Sequence, residues 1–421
     1  MKLLRFLLRY YPPGITLEYT QGKDIKMKTI DLLDLDENSN VSEITKQVYS
    51  KEPLITASVI TQLEQSIMKL QKKLKEGFAQ RYEKFKMLKS HLLPLTNITF
   101  DKFGTRCLTG SYDRTCKLWD IKSGHEICTY RGHQNVVYAV AFSEPYGDKI
   151  LTGSFDKTLK LWASAKEECI QTYRGHSAEV VGVTFSPDQS TFCSCSMDHT
   201  ARIFNTNSGQ EMHTLKAHTG PVISLQFSSD SNMLITGSFD SSIVVWDTRT
   251  SKPIHILTGH SQEISNCLFN FSNSMIASSS LDGTAKLWDV RTMCCFYTLK
   301  NHEDEVLDIA FDYSGSKLAT ASSDQTANLW TVGGAVELLQ TFYGHSNEVS
   351  KVSFHPTGKL VLSGSQDTTC RLWSTESGEC IQVLKAHQDD VFSCGFNYNG
   401  DTIITASKDN TCCIWRSMNR D

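Results

Sequence analysis

The sequence predicts an all-β chain, an eight-bladed β-propeller with a small α+β module at its N-terminus. Two observations carry that expectation. An aromatic anchor returns eight times, at Trp119, Trp162, Phe204, Trp246, Trp288, Trp330, Trp373 and Trp415, each 42 or 43 residues after the last. A Trp-marked period of about 40–45 residues is that of a propeller with one four-stranded blade per repeat. The repeats occupy residues 85–416. Residues 1–84 follow a different pattern, and 417–421 form a tail.

Each repeat reads as an antiparallel meander of four short strands. In the last one, β-branched and aromatic runs are separated by turns at Tyr398-Asn399-Gly400 and Lys408-Asp409-Asn410. That repeat ends on its third strand. Residues 85–88 precede Lys89-Ser90-His91 as residues 381–384 precede Lys385-Ala386-His387. The segment 85–88 is therefore expected to supply the missing outer strand and to cover an open sheet edge.

In the N-terminal segment, residues 15–19 and 25–30 alternate apolar and polar side chains around Gln21-Gly22-Lys23-Asp24, the signature of a β-hairpin. Residues 1–9 are expected to form a strand or short helix. Arg5 and Arg9 break the apolar run, and no small-residue cleavage site follows, which argues against a signal peptide. From Ser42 the period becomes helical, with a break at Pro53. Leu63, Ile67, Leu70 and Leu74 share a face over 61–76, and Lys69, Lys72, Lys73 and Lys75 complement the C-terminal end of the dipole. Two compatible readings stay open: a module docked on the propeller, or one that builds a partner groove with it.

The bulk composition excludes more than it identifies. A net charge of −4 gives no footprint for nucleic acid, and no run of 18 apolar residues exists to span a membrane. The 14 cysteines are scattered and are expected to be reduced, buried thiols in a reducing compartment. Cys193 and Cys195 form one close pair with no second pair, so neither a metal nor a cofactor is expected.

Polar positions recur inside each repeat. A His opens it (His91 through His387), a Ser or Thr sits on the second strand (Thr109 through Thr405), an Asp follows four residues later (Asp113 through Asp409), and the anchor comes six residues after that. A Ser, His and Asp together suggest a hydrolase triad, but a triad occurs once and this set occurs eight times. It is expected to be structural: the Asp accepts from the imidazole, the imidazole donates onward to the hydroxyl, and the hydroxyl points toward the indole. The pattern resembles the hydrogen-bonded network of the WD-repeat family over residues 91–415. Phe204 lacks the indole donor, so the third blade is expected to be the weakest. No catalytic residue is expected, and the chain is read as a non-enzyme.

In WD-repeat proteins the third and fifth residues after the His, and the residue before the Asp, usually point outward on one face. Here the third position gives Glu179, Glu263, Glu305, Glu348 and Asp390. The fifth gives Tyr138, Val181, Ile223, Leu307 and Phe392. The residue before the Asp gives Tyr112, Phe155, Met197, Phe239 and Leu281 in five successive blades. An apolar arc rimmed by carboxylates is expected to bind a partner segment that carries Lys or Arg.

Four stretches resemble a narrower family. Leu7-Leu8-Arg9-Tyr10-Tyr11-Pro12-Pro13-Gly14-Ile15, Ile30-Asp31-Leu32-Leu33-Asp34-Leu35, Leu92-Leu93-Pro94-Leu95-Thr96-Asn97 and the run from Thr109 to Asp120 look like the dynein assembly factors with WD repeats. That resemblance implies a cargo adaptor in the cytoplasm and in the cilium or flagellum, at the basal body and axoneme. It further implies that the adaptor couples outer-arm axonemal dynein to an intraflagellar transport complex subunit, and that arm assembly and ciliary motility require it. A monomer without nucleic acid or membrane partners is expected. The chain keeps Trp-Asp only in blades one, four and five, with Ala163, Asn205, Thr331, Ser374 and Arg416 elsewhere. The alternative is a substrate receptor of a cullin-RING ubiquitin ligase, suggested by Trp246-Asp247-Thr248-Arg249 and Trp288-Asp289-Val290-Arg291.

Overall fold

The computed structural model describes every residue except 1, 23, 34, 37, 76–80 and 419–421. The turn expected at Lys23, the helix end at Glu76 and the last three tail residues lie outside the described residues. The chain divides into two compact units, Met1–Phe78 and Ala79–Asp421. The boundary expected after residue 84 moves toward the N-terminus because the first strand of the second unit begins earlier than 85.

The first unit opens with a three-stranded antiparallel sheet, β1 (Lys2–Arg9), β2 (Gly14–Gln21) and β3 (Asp24–Asp31), in sequence order. The expected hairpin thus has a third strand. Ile15 and Leu17 of β2 are fully buried. Helix α1 (Val41–Lys51) starts at Asn40, whose side chain accepts from the Ser42 N–H, a cap worth roughly 1 kcal/mol. Its stop follows from Pro53, which excludes the α conformation at Glu52 (φ −120, ψ 100). Helix α2 (Ile60–Lys75) buries Leu63, Ile67, Leu70 and Leu74, the face that the 3.6-residue period marks.

The second unit consists of eight four-stranded sheets. Blade 1 holds β5 (Leu95–Phe100), β6 (Arg106–Ser111), β7 (Thr115–Asp120) and β8 (His125–Arg131). The other blades repeat this order, and blade 8 takes its outer strand from β4 (Tyr82–Leu88). β4 pairs with Cys412–Ser417 in a register running from Cys412 opposite Leu88 to Ser417 opposite Tyr82. Pairing continues three residues beyond the expected 85–88 and takes Ser417 out of the tail. The inner strands of blade 8 pack on β5, which completes the ring.

The core lies between blades. Each anchor buries itself against the preceding blade: Trp162 packs with Leu108, Leu118 and Tyr130, and Trp119 packs with Leu88, Ile404 and Ile414. The thiols are free, but Cys169, Cys294, Cys295 and Cys380 sit exposed on outer strands, which corrects the expectation of uniformly buried cysteines.

Candidate interaction face

The repeated polar set forms in all eight blades. His Nδ1 lies 2.7–3.1 Å from the Asp carboxylate. His Nε2 lies 2.7–2.9 Å from the Ser or Thr hydroxyl. Seven indoles donate to that hydroxyl at 2.8–3.2 Å. The far end runs opposite to the sequence expectation. An imidazole that donates from Nδ1 accepts at Nε2, so the hydroxyl donates to the ring and accepts from the indole. Burial alone would raise the Asp carboxyls. Hydrogen bonds from the imidazole, the hydroxyl two residues on and the backbone overcome it, holding Asp113, Asp198 and Asp409 well below the ordinary range and Asp282 at about 2. Each imidazole, hydroxyl and carboxylate of the set is engaged within its own blade.

In blade 3 Ser194 has no indole partner. Phe204 stacks instead on Phe192, with ring centroids 5.0 Å apart and 13° between planes, and Tyr173 meets Phe192 edge-on and tilts against Phe204. Phe192 is the cross-strand partner of the anchor, a position held by Cys, Ile, Leu or Val in the other blades. A second aromatic ring fills the volume that the smaller anchor leaves.

The same turns build the outward face. In each blade the N–H of the residue before the Asp donates to the carbonyl of the third residue after the His at 2.9–3.0 Å. Met197 therefore sits beside Glu179, Leu281 beside Glu263, Phe155 beside Val136, and Tyr112 and Phe239 beside Pro94 and Pro221. The residue after each Asp takes a left-handed conformation, from Arg114 (φ 68) to Asn410 (φ 69), and the Asp side chain holds that turn by accepting from the N–H two residues on. The fifth residue after the His falls at a bulge in every innermost strand. Bulges re-aim side chains.

Tyr112 is 42% exposed, and Tyr138 and Phe239 are each 39% exposed, while Phe155, Met197, Leu281 and Phe392 are half-buried. Tyr138 and Phe155 stack on one another at 5.2 Å. The acidic rim divides. Glu348 accepts from Gln366 Nε2 at 2.6 Å, and Asp390 pairs with Lys408 at 3.2 Å. Among the described residues, the carboxylates of Glu179, Glu263 and Glu305 have no such partner. Leu92 (82% exposed) and Leu93 extend the apolar surface beside Tyr112. Sequence reading missed them, although the other repeats place mostly polar residues directly after the His.

Eight segments match the family description "WD domain, G-beta repeat": residues 82–120, 124–163, 167–205, 209–247, 251–289, 293–331, 336–374 and 378–416. The chain belongs to the WD-repeat family. It is 51% identical over 146 residues to the dynein assembly factor with WD repeat domains 1 of Xenopus laevis, and 52% identical over 146 residues to that of Homo sapiens. Each match covers 35% of this chain and 35% of the relative, so the shared stretch spans about a third of those proteins. The peroxisomal targeting signal 2 receptor of Homo sapiens is 44% identical over 36 residues, 9% of this chain and 11% of the receptor.

Departures from the Trp-Asp dipeptide have local explanations in this WD-repeat protein. Asp120, Asp247 and Asp289 accept from backbone N–H groups of the following turn, and Asn205 and Ser374 accept from equivalent groups. Arg416 does something else. Its guanidinium lies 3.4 Å from the Phe85 ring centroid and donates to the carbonyls of Ile121 and Lys122, tying blade 8 to blade 1. A polar ladder along the innermost strands of blades 4 to 7 also went unread. Ser224 donates to Asn266, Asn266 donates to Asp308, and Lys351 pairs with Asp308 at 3.0 Å.

Proposed function

We propose that this WD-repeat protein is a non-catalytic adaptor in dynein assembly, coupling outer-arm axonemal dynein to an intraflagellar transport complex subunit in the cytoplasm and the cilium. The observation that carries the reading is the shared identity of about half over 146 residues with proteins named dynein assembly factors. The geometry supports the non-catalytic part. Hydroxyls, imidazoles and carboxylates that could mimic a triad are spent on one another and on the turns eight times over, while one face keeps half-exposed aromatics and unpaired carboxylates.

An adaptor needs two surfaces. On this reading the propeller face holding Tyr112, Tyr138, Phe155 and Phe239 is one. The N-terminal unit supplies the other, where a pocket of about 170 Å³ is lined by Leu32, Leu35, Ile44, Val48 and Lys51. The ubiquitin-ligase alternative gains no support from the named relatives. The test is affinity capture from ciliated cells with the full chain and with one lacking residues 1–78, read by mass spectrometry. Outer-arm dynein chains and transport-train subunits are expected, with one set lost on truncation. A cullin and its adaptor without ciliary proteins would overturn the reading.

A further inference from the structure

One slot recurs in every blade, between the third strand, the outer strand and the loop before the His. The third-strand residue two before the anchor controls it. In blade 1 Lys117 fills the slot, with Nζ 2.6 Å from Ser90 Oγ and 2.9 Å from the Glu126 carboxylate. In blade 3 Arg202 pairs with Glu211 at 2.7 Å and donates to the Gly175 carbonyl at 2.8 Å. Lys160 and Lys286 reach outer-strand threonine hydroxyls, Asn328 bonds to His302, and the Arg371 guanidinium lies 6.0 Å from the Trp373 ring centroid. Blade 4 closes its slot with Val244 facing Ile256.

Blade 8 combines a short third-strand residue with a cation opposite the anchor. Its third-strand residue is Cys413, too short to cross the slot, and Lys84 takes the outer-strand place that Glu126 holds in blade 1, opposite the anchor. A pocket of about 470 Å³ opens there, lined by Lys84, Met87, Lys89, Ala386, Gln388 and Asn410 among others. Both lysines are exposed, and neither has an acidic partner among the described residues. Asp409, at the pocket wall, is already committed to His387, Thr411 and the Gln388 N–H. The slot that in blades 1 and 3 contains a cation and its carboxylate therefore contains, in blade 8, two lysines around a pocket.

We infer that the blade 8 slot is a binding site for a carboxylate side chain of an acidic peptide segment from a partner protein, which would take the place that Glu126 and Glu211 occupy in their own blades. Charge-assisted bonds from two ammonium groups, with the Gln388 and Asn410 amides at the rim, are the chemistry such a side chain meets there. The pocket shares no lining residue with the aromatic face, although the Asn410 amide at its rim donates to the Leu92 carbonyl at 3.3 Å, and the inference does not depend on the dynein reading.

The experiment titrates the full chain with fluorescein-labelled hexaglutamate and hexaglutamine, read by anisotropy at low salt. Hexaglutamate is expected to bind and hexaglutamine not. Lys84→Gln with Lys89→Gln should weaken binding at least tenfold, while Lys166→Gln, at an exposed lysine elsewhere, should leave it unchanged. Cys413→Lys with Lys84→Glu rebuilds the blade 1 arrangement and should abolish binding while thermal unfolding stays cooperative. Phe155→Ala with Phe239→Ala should change nothing. Failure of hexaglutamate to bind, or equal binding to the Lys84/Lys89 variant, would overturn the inference. Displacement by equimolar inorganic phosphate would make this a small-anion site and overturn the peptide assignment.

Discussion

The Tyr82 phenol donates to the Gly400 carbonyl at 2.5 Å, joining the first strand of the propeller unit to the last blade across 318 residues of sequence. The same carbonyl accepts from His355 Nε2 of blade 7 at 3.2 Å, and Gln382 clamps the Tyr82 backbone through both its N–H and its carbonyl. Ring closure therefore rests on pairing of β4 and on these bonds. Tyr82→Phe removes one buried donor while Gly400 keeps another, so a loss of about 1 kcal/mol is expected in urea unfolding. Deleting residues 82–88 bares the Cys412–Ser417 edge, and aggregation is expected in size-exclusion chromatography; a monomeric deletion variant with a cooperative melt would contradict the closure.

Blade 3 tests the aromatic substitution. Phe204→Trp drives an indole into the volume that Phe192 occupies, and overpacking is expected to cost about 1–3 kcal/mol. Adding Phe192→Leu restores the pairing seen in the other blades and frees Ser194 to accept the indole N–H. The double variant should recover most of that loss in chemical unfolding; equal destabilisation of single and double variants would refute the compensation.

His355 gives the chain an acid-sensitive joint. Its ring is buried, donates to Gly400 and accepts from Thr357, and burial pushes its pKa down to about 4. The unfolded chain takes up a proton near 6.5 while the folded one does not, so stability is complete above pH 6.5 and falls as pH drops toward 4. That shift corresponds to about 3 kcal/mol at the bottom of the window. His218 and His260, lowered by burial against the pull of their aspartates, act in the same direction. Urea midpoints from pH 7.5 to 4.5 should fall for the wild type and fall less for His355→Gln.

The outward face predicts a separation of binding from stability. Phe239 is half-exposed, so Phe239→Ala should change stability by no more than about 0.5 kcal/mol. Phe155→Ala loses the stack on Tyr138 and should cost about 1 kcal/mol. A thermal melt of the double variant should stay cooperative and shift by a few degrees only.

What the sequence made legible is what recurs. Eight copies of His, hydroxyl, Asp and anchor expose a network that no single copy would distinguish from a triad, and the offset of 85–88 against 381–384 reveals how the ring closes. What stayed hidden occurs once. Lys84 and Cys413 are 329 positions apart, and their slot exists only because β4 pairs with the last blade. The Ser224, Asn266, Asp308 and Lys351 ladder joins different residue types across blades, so no period announces it. Glu348 and Asp390 looked equivalent to Glu179 and Glu305 until Gln366 and Lys408 proved to face them.

Affinity capture from ciliated-cell extract with the full chain and its Phe155→Ala/Phe239→Ala variant tests the adaptor claim most directly. The wild type should recover outer-arm dynein and transport-train subunits, and the variant should lose one set at least tenfold while keeping the other. Equal recovery of both sets by the variant, or recovery of neither by the wild type, would contradict it.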